Sequence, residues 1–308
     1  MVQPLRQEDS RQVNLLTSRT ENSRLWFVNN PALDQQILAS LARYQSLYDV
    51  KLYAFVLQGN HDHIASSFPG ANRAHFMRDL NSQIARLCKR AIPEVGRGKF
   101  WERRYASQEL PRNEDIEEYF FYCALQPVKA GLAEHPKHYP GYNSFEDAIN
   151  GIEREFIYTD WVKYQNARRW NPAVDITRYQ TVFKLRYARL PGYEHLSAAD
   201  YRDLMLRKFE ARRQAILQEM AKAGKRFPKP PALRKVRAGS EPKSTKRSTR
   251  HSKRPVVLSL CPDTRRQRLE CYFSLVAQYK DASARYLRGD IGALFPPGTY
   301  RPPLLSQP

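Results

Sequence analysis

The order of apolar and polar positions over the first 150 residues predicts a definite succession of elements. In 12-QVNLLTSRT-20, Val13 and Leu15 alternate with polar neighbours until Leu16 interrupts, which predicts a first strand. After Asn29-Asn30-Pro31, the residues Leu33, Ile37, Leu38, Leu41 and Tyr44 recur at helical spacing, so 32–48 reads as a helix with proline at its start. The runs 50-VKLYAFVL-57 and 61-HDHIASSF-68 read as two strands, and Gln58-Gly59-Asn60 between them is hairpin chemistry. Phe76, Leu80, Ile84, Leu87 and Cys88 mark an amphipathic helix over 72–91, ended by Pro93, Gly96 and Gly98. The run 99-KFWERRYASQEL-110 is a strand candidate, and Asn113 reads as the N-cap of a third helix with Glu114, Asp115, Glu117 and Glu118 in its first turns.

Strand, helix, strand, strand, helix, strand, helix is the split βαβ order of a ferredoxin-like α+β domain with an antiparallel sheet, ending near Asp147. Beyond it, 182-VFKLRYARL-190 alternates like a short strand, and 197–224 is a long charged helix opened by Ser197-x-x-Asp200. Residues 225–255 are rich in Lys, Arg, Pro and Ser and read as a disordered basic linker. A last helix over about 263–288 carries Leu269, Tyr272, Phe273, Val276 and Tyr279, and the Pro-rich 295-FPPGTYRPPLL-305 is extended. The expected regions are therefore a folded domain over 1–147, a helical accessory region over 148–224, the linker over 225–255, and a helix with its tail over 256–308.

Charge separates these halves. Residues 1–150 hold 18 Lys and Arg against 17 Asp and Glu, whereas residues 151–308 hold 33 against 14, so almost all of the net charge of +20 lies in the second half. Twelve of those cations fall within 225–254 against the single Glu241. Such an excess favours a polyanion, nucleic acid above all, because phosphate contacts release condensed counterions. Cys88, Cys123, Cys261 and Cys271 have neither zinc-like nor disulfide-framework spacing and read as reduced thiols. With no apolar run of membrane length and no apolar signal core at the N-terminus, a cytoplasmic protein without a membrane partner is expected.

The chemistry centres on 54-AFVLQGNHDHIASSF-68. Gly59-Asn60-His61-Asp62 resembles one signature of binuclear phosphoesterases, but two metals about 3.5–4 Å apart need further ligand motifs, and no upstream Asp-x-His, Gly-Asp-x-x-Asp or late Gly-His-x-His is present. A single cation needs less. On a strand, His61 and His63 project to one face and Asp62 to the other. In 116-IEEYFFYCALQPVKAGL-132, Tyr122 and Gln126 are i and i+4 on one helical face, the arrangement a tyrosine nucleophile and a neutral oxygen ligand would need beside the histidine strand. Two imidazoles and an amide oxygen suit Mg²⁺ or Mn²⁺. Tyr119, at i and i+7 to Gln126, is the rival nucleophile.

The segments 12-QVNLLTSRTENSRLWF-27, 57-LQGNHDH-63, 98-GKFWERRYASQEL-110 and 118-EYFFYCALQPVKAGL-132, in this order, resemble the REP-associated tyrosine transposases, a group of HUH single-tyrosine transposases with the IS200-like fold. The resemblance extends over about 12–147 and more loosely into the C-terminal half. It implies a transposase: a metal-dependent attack of Tyr122 on a scissile phosphate of hairpin-bearing single-stranded DNA, a 5′-phosphotyrosine intermediate, and a cation on His61, His63 and Gln126. It implies a hairpin stem gripped through its backbone with unpaired bases stacked on aromatics. Arg19, Trp101, Arg103, Arg104 and Lys129, with Lys243, Lys246, Arg247 and Arg250 in the basic segment, are the nucleic-acid-binding candidates. The protein would act as a monomer or homodimer. Two residues depart from the family pattern. Gln126 stands where Asn is frequent, a change that keeps the oxygen ligand. Asp62 stands where an apolar residue is usual; a buried carboxylate is costly unless paired, so a cationic partner or exposure is expected there. The alternative function is an inactive, domesticated protein that binds hairpin DNA or RNA. A relaxase or replication initiator fits less well, because those usually order their tyrosine and histidine motifs differently.

Overall fold

The computed structural model describes residues 4–242 and 255–303. Four strands, β1 (Val13–Arg19), β2 (Lys51–Gln58), β3 (His61–Ser67) and β4 (Ala106–Leu110), form one antiparallel sheet in the order β2-β3-β1-β4. Helices α1 (Pro31–Tyr48) and α2 (Arg73–Ala91) connect them, and α3 (Asn113–Ala124) follows β4. This is the ferredoxin-like α+β arrangement that the sequence pattern predicts. Ser18 Oγ donates to Asn81 Oδ1 of α2 at 3.2 Å, while His63, one register position away, meets Tyr122 of α3. The sheet therefore has α2 on one face and α3 on the other.

The core explains the strict succession of periods. Leu16, Leu33, Ile37, Leu41, Phe55, Leu57, Ile64, Phe76, Leu80, Ile84 and Phe120 are all buried in one cluster. Asn30 caps α1 by accepting from Leu33 N at 3.0 Å, and Pro31 occupies the first turn, where its missing N–H is not needed.

Several expectations need correction. The strand candidate 99–110 is paired only from Ala106; Trp101 makes an isolated bridge to Thr20. Asn113 is the first residue of α3, not its cap, and Arg112 stands before it. The expected helix over 113–132 is interrupted: α3 ends at Ala124 and a short turn, α4 (Gln126–Lys129), begins after Leu125. Pro127 is the cause, since it has no N–H to donate and its ring crowds the preceding turn.

The chain continues through α5 (Phe145–Asn150), β5 (Arg154–Thr159), α6 (Trp161–Trp170), β6 (Gln180–Leu185), α7 (Ala198–Lys222), α8 (Pro230–Arg234) and α9 (Pro262–Leu287). The strand expected over 182–190 appears as β6, paired with the unforeseen β5 in a separate hairpin that packs on α1. Ser197 caps α7 as expected, accepting from Asp200 N at 3.1 Å. Tyr201, Met205 and Phe209 of α7 join the main core, and Phe209 stacks on Phe145 with ring centroids 4.2 Å apart.

Disorder across 225–255 does not hold for the described part. Gly239 N donates to Leu25 O at 3.0 Å, Leu25 N donates to Ser240 O at 2.9 Å, and Asn29 Nδ2 donates to the carbonyls of Leu233 and Val236. Gly239 has φ +80°, and a Cβ there would lie 2.6 Å from the Trp26 ring, so both backbone and space require glycine. The candidates Lys243, Lys246, Arg247 and Arg250 lie outside the described residues.

Both sheet edges are met by segments distant in sequence. At β4, Glu109 N donates to Val256 O and Leu258 N donates to Glu109 O, each at 2.8 Å. At β2, Leu57 N donates to Tyr142 O, Ser144 N to Phe55 O and Ala188 N to Leu52 O. Among the described residues, no helix is long and apolar enough to cross a membrane.

Candidate active site

His61 and His63 project from one face of β3, with ring centroids 4.9 Å apart. α3 crosses that face and sets Tyr122 against them, its ring centroid 5.4 Å from that of His63. Tyr119 lies one helical turn away and touches Tyr122, at 5.5 Å between centroids. Burial pushes the Tyr119 hydroxyl pKa up, with the neighbouring Tyr122 next in effect. Lys129 sits with its ammonium 5.0 Å from the Tyr122 ring centroid. Gln126 is buried in α4, the turn that follows. His61, His63 and Tyr122 thus form one ring cluster, with Gln126 four residues beyond the tyrosine.

Two side chains orient the imidazoles. Asn60 Nδ2 donates to Ser23 O at 2.8 Å, which turns its Oδ1 towards His61 Nδ1 at 2.7 Å. A carbonyl oxygen only accepts, so His61 carries its proton on Nδ1 and the lone pair of the neutral ring is on Nε2. Thr17, directly opposite His63 in the sheet, holds His63 Nδ1 at 2.7 Å through its hydroxyl. Gln58, opposite His61, is buried, and its Nε2 has no hydrogen-bond partner among the described residues. Thr17 and Gln58 escape a reading of the sequence because cross-strand register makes them neighbours of the histidines, and Asn60, adjacent to His61 in the chain, because its orientation depends on the Ser23 carbonyl. The hairpin was the available signal: it fixes Gln58 opposite His61 once both strands are recognised.

The donor set fits a hard divalent cation. Among the described residues no group of three or more His, Cys, Asp and Glu side chains is placed to hold a metal. The oriented imidazoles of His61 and His63 are candidate nitrogen ligands, and Gln126, buried four residues beyond Tyr122, carries the neutral amide that the sequence pattern offers as an oxygen ligand.

Asp62 overturns the expectation of a cation or exposure. Its side chain is buried on the α2 face, and Ser18 N donates to Oδ1 at 3.3 Å. No ion pair to Asp62 exists among the described residues. Burial pushes its pKa up to about 7, against the opposing effect of the Ser18 hydrogen bonds. The site's answer to a buried carboxylate is thus protonation near neutral pH, not pairing.

The remaining candidates flank this end of the sheet. Arg19 ends β1 opposite His61, and its Nε is buried without a hydrogen-bond partner. Trp101 is partly structural: its Nε1 donates to Asn81 O at 3.0 Å and its ring packs on Phe27 and Phe100. Arg103 is half-buried and Arg104 exposed. Tyr105 is not a free stacking surface, since it is buried under the Arg6 guanidinium, 3.5 Å from its ring centroid.

Residues 16–121 match the family model described as Transposase IS200 like. No curated protein matches. Among solved structures, the chain is similar to a REP-associated tyrosine transposase bound to a REP hairpin, with 16% identity over 47% of this chain and 84% of that one and a TM-score of 0.41. It is also similar to a Deinococcus radiodurans R1 protein described as a transposase, with 16% identity over 39% of this chain and 95% of that one and a TM-score of 0.29. The matched segment contains the histidine pair on β3 and reaches Phe121 in α3, one residue before Tyr122; over that segment the chain is similar to the IS200-like transposases.

Proposed function

We propose that the protein cleaves and rejoins single-stranded DNA bearing a hairpin, with Tyr122 as nucleophile. The contact of Tyr122 with His63, beside His61, carries this reading, because it sets a phenol against two oriented imidazoles. Tyr122 Oη attacks the scissile phosphorus and the P–O3′ bond breaks, leaving a 5′-phosphotyrosine and a 3′-hydroxyl. The phenol's proton leaves to solvent, and the departing 3′ oxygen takes one up. Attack of another 3′-hydroxyl on the phosphotyrosine reverses the step and joins strands without an external energy source. His61, His63 and Gln126 would hold Mg²⁺ or Mn²⁺, which when bound supplies Lewis-acid polarisation of a phosphoryl oxygen. Lys129, Arg19, Arg103 and Arg104 are the phosphate-binding candidates around the site. The cations at Lys243, Lys246, Arg247 and Arg250 would add sequence-independent affinity that falls with salt.

The test is incubation of the full chain with labelled hairpin-bearing single-stranded DNA from the flanks of its own gene, with Mn²⁺ or with chelator. A covalent adduct is expected in the wild type with metal, absent in Tyr122→Phe and retained in Tyr119→Phe. Loss only in Tyr119→Phe would transfer the nucleophile to that residue. The buried Asp62 favours a second reading, a binding protein without catalysis, and tight binding with no adduct under any condition would select it.

A further inference from the structure

Between the strands of the β5–β6 hairpin the chain makes an excursion over 160–179 whose two ends differ in character. Its base is fixed. Asp160 N donates to Tyr179 O at 2.9 Å, the Tyr164 and Tyr179 rings are 5.9 Å apart, and the Arg90 guanidinium in the last turn of α2 lies 4.0 Å from the Trp161 ring centroid. Its outer end presents Trp170, the last residue of α6, which is 91% exposed. Trp26, by contrast, is buried, and Trp101 and Trp161 are half-buried against the core. An indole left in water forgoes one of the largest burial gains any side chain can make, so its exposure points to a partner.

The surroundings select the partner. Lys163 and Trp170 are i and i+7 on α6, hence on one stripe; Arg168 and Arg169 precede Trp170 in the same last turn, and Arg178 lies on the returning segment; all four cations are exposed. The excursion's carboxylates, Asp160 and Asp175, are both engaged as helix caps, accepting from Lys163 N at 3.0 Å and Thr177 N at 2.9 Å. Among the described residues no carboxylate lies in ion-pair range of Arg168, Arg169 or Arg178. An exposed aromatic that ends a helix whose last turn carries two exposed guanidinium groups, outside any ion pair among the described residues, matches an unpaired base and its phosphates. An apolar protein partner would have to bury those charges unpaired.

The excursion also stands at the catalytic end of the sheet. α2 returns antiparallel to the sheet from the far end of β3 and ends at Ala91; the chain then passes through 92–100 to Trp101, which bridges Thr20, and Thr20 follows Arg19, the residue opposite His61. We infer that the β5–β6 excursion is a second nucleic-acid contact, in which Trp170 stacks on an unpaired base and Arg168, Arg169 and Arg178 hold the adjacent phosphates. The inference rests on the proposed function for its substrate class but not on Tyr122 or the histidine pair.

The test uses the full chain, a fluorescent 20-mer of oligo(dT) and a blunt duplex of the same length as probes, and anisotropy titrations over a salt series. Trp170→Ala is expected to weaken oligo(dT) binding about tenfold, within the range of one lost base stack, to affect the duplex less, and to melt as the wild type does. Trp170→Phe is expected to restore most of the affinity. Arg168→Ala with Arg169→Ala is expected to lower the slope of log K against log salt by about 1.4, as two lost phosphate contacts require on a single strand. Oligo(dT) binding by Trp170→Ala equal to wild type, or equal losses on both probes, would overturn the inference. Adduct formation at Tyr122 on a short hairpin substrate is followed in parallel. No adduct in the wild type together with Trp170-dependent oligo(dT) binding would refute the proposed catalysis and leave this contact standing.

Discussion

Helices α2 and α9 put the two halves of the molecule side by side. α2 has 19 residues and buries Phe76, Met77, Leu80, Ile84, Leu87 and Cys88 against the sheet. α9 has 26 residues, yet Ala282 alone is fully buried and Phe273 stays 63% exposed. The first belongs to the half with balanced charge, the second to the half that carries nearly all of the excess of cations. Apolar burial, worth roughly 25 cal/mol per Å², therefore holds the chemistry rigid in one half. Within the other half, α9 lies along the domain as a charged layer, tied by ion pairs such as Arg268 to Glu109 and by backbone hydrogen bonds of its flanking segments, whereas the β5–β6 hairpin and α7 share the core through Phe156, Met205 and Phe209.

Substitutions can break this contrast in order of expected effect. Phe76→Ala should cost about 3–5 kcal/mol, the range for removing a buried phenyl ring, read as the midpoint of urea unfolding. A smaller effect is expected at the site itself: Asn60→Ala frees His61 from its fixed tautomer and should weaken Mn²⁺ binding about 10–100-fold, measured by titration of the paramagnetic ion with the fold checked by circular dichroism. Unchanged affinity would remove Asn60 from the site. Asp62→Asn should stabilise the protein at pH 8 by about 1–2 kcal/mol, since it replaces a carboxylate that is buried at a cost. The sign follows from the raised folded pKa of about 7. The folded state holds the proton that the unfolded state has released, so wild-type stability falls as pH rises from about 4 to 7 and levels off above, and the Asn variant should lack that slope. The smallest effect belongs to Phe273→Ala in α9, expected within about 0.5 kcal/mol of wild type; a loss as large as that at Phe76 would mean that α9 too is part of the core.

Much of this fold is legible in the sequence because each element of the first half has one buried face. The alternation in 12–20, the helical spacing of Leu33 to Tyr44 and the Gly59-Asn60 hairpin turn all correspond to observed elements. β5 is harder to see. Arg154–Thr159 reads REFIYT, with Phe156 its only fully buried residue and Ile157 59% exposed, so neither period 2 nor a continuous apolar run marks it. The site is legible in part for a similar reason. His-x-His on a strand and Tyr122 on a helix follow from local periodicity, whereas Asn60 and Thr17 act through a carbonyl and a register that only the folded sheet supplies. Asp62 shows the limit most directly. Its environment is the Ser18 backbone N–H, a donor present at nearly every residue and therefore invisible in side-chain chemistry.

The covered edges of the sheet set a rule for association. An open β edge is a template on which a second copy or a misfolded chain can add a strand. Here Val256 and Leu258 occupy the β4 edge, and Tyr142, Ser144 and Ala188 bond to β2. Growth of the sheet from one molecule into the next is therefore blocked on both sides at these positions, a safeguard against β-aggregation. Any homodimer of this chain has to be built from helices or from the faces of its outer layers, not by continuing the sheet that carries the histidines.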